Sequence, residues 1–175
     1  MKKAEQGGPR RALRYTTLLV LGLWLAGCSV VREPVPAESA APASEAQPQR
    51  GSEALMVALG QIGVPYRRGG ESHQGFDCSG LVQYAWAGAG VQLPRTAAQQ
   101  YARAQKVSPN ELAPGDLVFF RIDGRSIDHV GLYRGDGHFV HAPRPGRAVE
   151  AVALDNPYWS RRFAGGGRVA DAADD

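Results

Sequence analysis

From Leu117 onward the apolar residues of this chain change their spacing, and that change restricts the folds open to it. Upstream, Ala54-Leu55-Met56-Val57-Ala58-Leu59-Gly60-Gln61-Ile62 predicts a helix, ended by Gly63 and Pro65. A second helix is expected from Cys78 to about Ala87, with Asp77 as its N-cap and Gly88 and Gly90 stopping it. A third is expected over Arg95 to Arg103, after Pro94; the Gly-rich stretch from Arg67 to Gly75 reads as a loop. Downstream come four short β-rich runs: Leu117 to Phe120, Val130 to Tyr133, His138 to His141 and Val149 to Val152. Gly115-Asp116, Asp123-Gly124, Gly135-Asp136-Gly137 and Pro145-Gly146 punctuate them as turns. Helices first and an antiparallel meander second give an α+β fold, with N-terminal helices packed on an antiparallel β-sheet.

That frame places three reactive side chains. Cys78 opens the second helix, in Phe76-Asp77-Cys78-Ser79-Gly80, while His129 and His141 fall on neighbouring strands. Along each strand these histidines lie opposite apolar residues (Val130 and Leu132 for one, Val140 for the other), as expected if one face meets the core and the other a cleft. A thiol at a helix start with an imidazole beside it and a third polar group behind are the parts of a cysteine hydrolase. Two other readings use the same residues: a buried, unreactive cysteine, and a zinc site. Neither CxxC nor HExxH spacing occurs, so no metal or cofactor is expected. Asp128, adjacent to His129 on one strand, points to the opposite face and is not expected to orient it. His73 and His138 fall in a loop and at a turn, where they are expected to be solvated. Arg144 and Arg147 follow His141 in a turn near the cleft; they read as a solvated loop, or as partners for peptide carboxylates.

The only other cysteine is Cys28. Lys2, Lys3, Arg10, Arg11 and Arg14 precede a short apolar core, Thr16 to Ala26, and then Leu25-Ala26-Gly27-Cys28. A basic head, an apolar run too short to span a bilayer and small residues before a cut predict a secretory signal over residues 1–27. Its last residues resemble a lipobox, which implies lipidation of Cys28; Cys78 is then the one remaining thiol, without a disulfide partner. By analogy with lipoproteins, in which an aspartate after the cysteine marks retention in the inner membrane, Ser29 implies the outer membrane, facing the periplasm. The chain's net charge of +3 belongs to this leader: five basic residues and one acid (Glu5) precede Cys28, so cleavage leaves about −1. The mature protein therefore carries no electrostatic footprint for nucleic acid.

Residues 28–52 are rich in Pro, Ala, Glu, Ser and Gln, with Pro34, Pro36, Pro42 and Pro48 interrupting any helix, and predict a disordered tether after the lipidated Cys28. Such a segment reaches on the order of 25 Å. Residues 53–170 form one catalytic domain, and 171–175 an acidic tail.

Taken in order, Val64-Pro65-Tyr66-Arg67, Gly69-Gly70, Asp77-Cys78-Ser79-Gly80-Leu81-Val82-Gln83, Leu93-Pro94-Arg95-Thr96, Pro114-Gly115-Asp116-Leu117-Val118-Phe119-Phe120, His129-Val130-Gly131-Leu132-Tyr133, Phe139-Val140-His141-Ala142 and Pro157-Tyr158-Trp159 resemble the NlpC/P60 family. Those are papain-like cell-wall peptidases, and the likeness extends to their murein endopeptidase lipoproteins of the Spr or MepS type. The resemblance implies Cys78 as nucleophile, His129 as general base and then acid, and His141 as the group holding the imidazole. It implies a substrate pocket lined by Tyr66, with Asp77 and Ser79 touching substrate or serving only as helix cap and helix-start hydroxyl. Peptidoglycan becomes the expected partner of a monomeric enzyme. The expected cut is the D-alanyl–meso-diaminopimelate cross-link, with the γ-D-glutamyl–meso-diaminopimelate bond of one stem as the alternative. A non-catalytic wall-binding or metal-binding lipoprotein is the alternative of a different class.

Overall fold

The computed structural model describes residues 43–170. The leader, Cys28, the tether up to residue 42 and the acidic tail lie outside the described residues. The chain begins with α1 (Ala43–Leu59), a small hairpin of β1 (Glu71–Ser72) and β2 (Gly75–Phe76), α2 (Cys78–Gly88) and α3 (Ala97–Arg103). It continues through β3 (Gln105–Val107), a 3-10 turn at Pro109–Glu111, β4 (Leu117–Phe120), β5 (His129–Gly135) and β6 (His138–His141). β7 (Glu150–Ala153), α4 (Pro157–Ser160) and β8 (Phe163–Arg168) complete it. β3 to β8 make one six-stranded sheet in the order β3-β8-β4-β5-β6-β7, every pairing antiparallel. The α+β arrangement expected from the sequence is the one found.

Period-two alternation explains how β4 carries Leu-Val-Phe-Phe with all four side chains buried. Leu117 and Phe119 face the main core with Leu81, Val82, Trp86, Val130, Leu132 and Val140. Val118 and Phe120 face the opposite side, where Phe139 joins them under Tyr133, Trp159 and Phe163. Each fully buried large side chain contributes roughly 1.5–3 kcal/mol of transfer free energy. A bidentate pair, Arg168 Nε and Nη2 to Asp116 at 2.8 and 2.7 Å, ties the last strand to the start of β4.

Three differences from the sequence reading have physical causes. α1 starts at Ala43 rather than Ala54, so ten residues assigned to the tether, 43–52, are helical despite Pro48. Pro48 lacks the N–H that would reach Ser44, but the helix is held further on, where Gly51 packs on the Pro114–Gly115 backbone. The Arg67–Gly75 loop contains the β1–β2 hairpin, paired Glu71 to Phe76 and Ser72 to Gly75. β8 was invisible because Phe-Ala-Gly-Gly-Gly-Arg shows no alternation. Its glycines are packing requirements: a Cβ on Gly167 would stand 2.7 Å from Ala104 Cβ and 2.9 Å from the Phe119 ring.

Candidate active site

The start of α2 is built around Asp77. Its backbone is extended (φ −92°, ψ 176°), and its carboxylate accepts from Gly80 N at 2.8 Å, the N-cap bond expected of it. It also accepts from Gly69 N at 2.9 Å and from both Arg95 terminal nitrogens, at 3.0 and 2.7 Å. Arg95 Nη1 further donates to Ser79 Oγ at 3.0 Å. Burial alone would raise the Asp77 carboxyl, but the Arg95 and Gly80 bonds outweigh it and hold it below the usual range. Gly80 lets the hairpin sit against this turn, because a Cβ there would meet Gly70 O at 2.1 Å. Asp77 and the 6 % exposed Ser79 are thus engaged by the protein itself, which favours the cap role over substrate contact. Arg95, which the sequence reading left without a task, is what fastens them.

Cys78 follows the cap as the first helical residue, where the N–H groups of the first turn have no intrahelical carbonyl to reach. Its sulfur lies 3.9 Å from Asp128 O, and the Val130 N–H is directed at it. It therefore sits against the backbone on both sides of His129. Burial, then the Asp77 charge, push the thiol up to about 11, against the N–H groups of Val130, Ser79 and Cys78 itself.

β5 and β6 carry the two histidines on the sheet face opposite the main core. His129 Nε2 and His141 Nδ1 are 2.8 Å apart. Gly131 allows this strand pair to close up, since a Cβ there would stand 2.6 Å from the Phe139 ring and 3.2 Å from His141 Cβ. The expectation of an open cleft on this face is corrected: His129 is 5 % exposed and His141 is fully buried. Trp159 of α4 covers them, stacked on His129 at 5.3 Å and edge-on to His141 at 4.7 Å. Burial pushes His129 down to about 4, with the Asp77 charge opposing. Burial also lowers His141, helped by the charges of His129 and Arg147. Thiol and imidazoles are consequently held neutral at rest. Burial of both partners opposes charge separation into a thiolate and an imidazolium. The Cys78 sulfur meets the backbone at Asp128 and Val130; a proton given up to His129 would go to Nδ1, the ring nitrogen His141 leaves unused.

Tyr66 is half-buried beside this centre; burial, then the Cys78 and Asp77 charges, raise its hydroxyl pKa. Asp128 accepts instead from Ile122 N and Asp123 N, at 2.7 and 2.9 Å, and closes its own loop. His73 is exposed but bonded to the Tyr84 hydroxyl at 2.7 Å, and His138 Nδ1 to Asp136 O at 3.0 Å. Pro143, Arg144, Arg147, Glu150, Tyr158 and Trp159 line a cavity of about 250 Å³ beside the histidines. Arg147 there pairs with Glu150 at 2.6 Å, so it is not simply solvated. Among the described residues, no three His, Cys, Asp or Glu side chains converge as a metal-ligating group. The role of Trp159 escaped the sequence reading although Pro157-Tyr158-Trp159 was noted: a helix of four residues gives no periodic signal.

Comparison with known proteins agrees with this fold. Residues 63–168 match the model of the NlpC/P60 family. The murein DD-endopeptidase MepH of Escherichia coli is 44% identical over 135 residues, covering 74% of this chain and 50% of the relative. A gamma-DL-glutamyl hydrolase of Bacillus subtilis is 45% identical over 107 residues, covering 59% of this chain and 26% of the relative. The chain thus spans half or less of the length of these two relatives. The solved structure of the peptidoglycan hydrolase RipB from Mycobacterium tuberculosis superposes with a TM-score of 0.63 at 33% identity, covering 74% of this chain and 69% of RipB. The family match, the fold and the ordered motifs lead to one conclusion: this chain belongs to the NlpC/P60 family.

Proposed function

We propose that this protein is a cysteine peptidase that hydrolyses stem-peptide amide bonds of peptidoglycan, with Cys78, His129 and His141 as its catalytic residues. The observation that carries the reading is the Cys78 sulfur lodged at the His129 backbone, with His129 Nε2 bonded to His141 Nδ1. Cys78 sulfur attacks the amide carbonyl carbon while its proton passes to His129 Nδ1. The oxyanion is met by first-turn N–H groups, including that of Cys78. The C–N bond then breaks, His129 protonates the departing amine, and a thioester remains on Cys78. Water, deprotonated by His129, attacks the thioester, giving a carboxyl product and the free thiol. Tyr66 lines the pocket for the acyl side of the substrate.

The preferred bond is the D-alanyl–meso-diaminopimelate cross-link, supported by the 44% identity to an endopeptidase named for DD bonds. A lipid on Cys28 and a Pro-rich tether beyond it would let the enzyme reach the wall from the outer membrane, which suits work on assembled cross-links. The second reading, the γ-D-glutamyl–meso-diaminopimelate bond, is favoured by the 45% identity to a gamma-DL-glutamyl hydrolase. Mass analysis of purified muropeptide dimers after digestion separates them. Conversion of dimers to monomers with intact stems is expected; shortened stems in dimers that stay joined would overturn the cross-link assignment. Labelling cells with a tagged fatty acid tests the anchor, and label persisting in Cys28→Ala would refute it.

A further inference from the structure

The histidine pair fixes which proton must sit where. His129 Nε2 is occupied by His141, so His129 can act as a base only through Nδ1. A neutral His129 with Nδ1 free carries its proton on Nε2 and donates it to His141 Nδ1. His141 must then hold its own proton on Nε2. In the reverse arrangement His141 Nδ1–H donates to His129 Nε2, His129 is protonated on Nδ1, and it cannot take a proton from sulfur.

His141 Nε2 is fully buried and has no hydrogen-bond partner among the described residues. The polar atom it faces is Glu150 Oε1, at 4.0 Å. This is not an accident of a surface side chain. His141 and Glu150 are paired across β6 and β7, which sends both side chains to one sheet face. The other Glu150 oxygen is held by Arg147 at 2.6 Å. The backbone ahead of it is fastened in turn, with Tyr66 N donating to Arg147 O and Val149 N to Val64 O, both at 2.8 Å. Glu150 keeps some side-chain exposure and with it torsional freedom, and a shift of about 1 Å brings Oε1 into hydrogen-bond range.

Resting on the catalytic reading above, we propose that Glu150 is a positioning residue: its carboxylate accepts from His141 Nε2–H and so selects the tautomer in which His129 can serve as base. Arg147 anchors it. The relay runs Cys78, His129, His141, Glu150, and only the first two exchange the proton during the reaction.

The test combines a mutant-free and a mutant measurement on the full-length protein in detergent. Nitrogen-15 NMR of labelled histidines should show His141 as the Nε2–H tautomer in the wild type. Finding Nδ1–H on His141 would overturn the proposal. Glu150→Leu, which removes the acceptor at similar volume, should lower kcat on muropeptides by about tenfold or more with KM within about twofold. It should also convert His141 to mixed tautomers. Glu150→Gln keeps an acceptor oxygen and should recover much of the loss. An unchanged kcat in Glu150→Leu, a loss confined to KM, or Glu150→Gln as poor as Glu150→Leu with the fold intact would each contradict it. The tautomer is read without substrate, so it stands apart from a failure of the peptidoglycan reading, which would show as an inactive wild type.

Discussion

Asp77 and Cys78 are neighbours with opposed demands. The carboxylate that caps α2 and gathers Arg95 also places a negative charge beside the sulfur, and that charge, after burial, raises the thiol. Asp77→Asn keeps an oxygen for the Gly80 N–H while removing the charge, so thiolate should form at lower pH. Iodoacetamide labelling of Cys78 at pH 8 should then be faster than in wild type; slower labelling in a folded variant would show that the charge is not what restrains the thiol. Replacing the proposed reacting groups themselves should give a graded series. Cys78→Ala and Cys78→Ser should abolish turnover with the melting temperature little changed, because shortening a side chain at a helix start leaves a small cavity. His129→Ala should be nearly as severe. His141→Ala should keep a measurable rate in single-turnover assays, since water can replace part of an orienting contact.

The same dependence on neighbours appears one level up, where α4 roofs the histidines of β5 and β6. Trp159→Ala opens that roof. It should cost about 3 kcal/mol of stability by urea denaturation and let water reach His129. With burial relieved, the His129 pKa returns toward its ordinary 6.5 from about 4, so the acid limb of kcat/KM should move to higher pH. An acid limb that stays in place would mean that Trp159 does not set the burial of His129. These elements also show why the sequence was legible in some places and opaque in others. Strands β4 to β6 and the start of α2 were readable because alternation, Asp77 and flanking glycines act within a few residues. β8 and the burial of the histidines were not, since Gly165 to Gly167 and Trp159 derive their roles from partners distant in the chain. α1 went unread over its first eleven residues because a local proline rule was overridden by contact at Gly51. Cys78, His129, Tyr66 and His141 could be named from motif order, whereas Arg95 and Glu150 became visible only through their bonds.

For the molecule as a whole, burying neutral imidazoles couples stability to pH. The folded-state pKa of His129 lies below the 6.5 of the unfolded chain, so the unfolded state binds the extra proton between those values. Stability present above pH 6.5 should therefore be lost as pH falls toward about 4, by an amount of order 3 kcal/mol for this one group. His141, shifted in the same direction, extends the loss to lower pH. Urea midpoints measured across this range should fall with acid, and the slope should flatten in His141→Asn; a flat wild-type profile would show that the histidines are not buried neutral.

In the function proposed above, a thiol at the head of α2 breaks peptide bonds of the wall. The most direct measurement is digestion of purified murein sacculi by wild type and Cys78→Ser side by side, each with and without a thiol alkylator or a chelator, followed by mass analysis of the released muropeptides. Wild type should release new stem-peptide carboxyl and amine ends, abolished by the alkylator, unaffected by the chelator and absent with Cys78→Ser. Equal release by Cys78→Ser, or loss of activity with the chelator but not the alkylator, would contradict it.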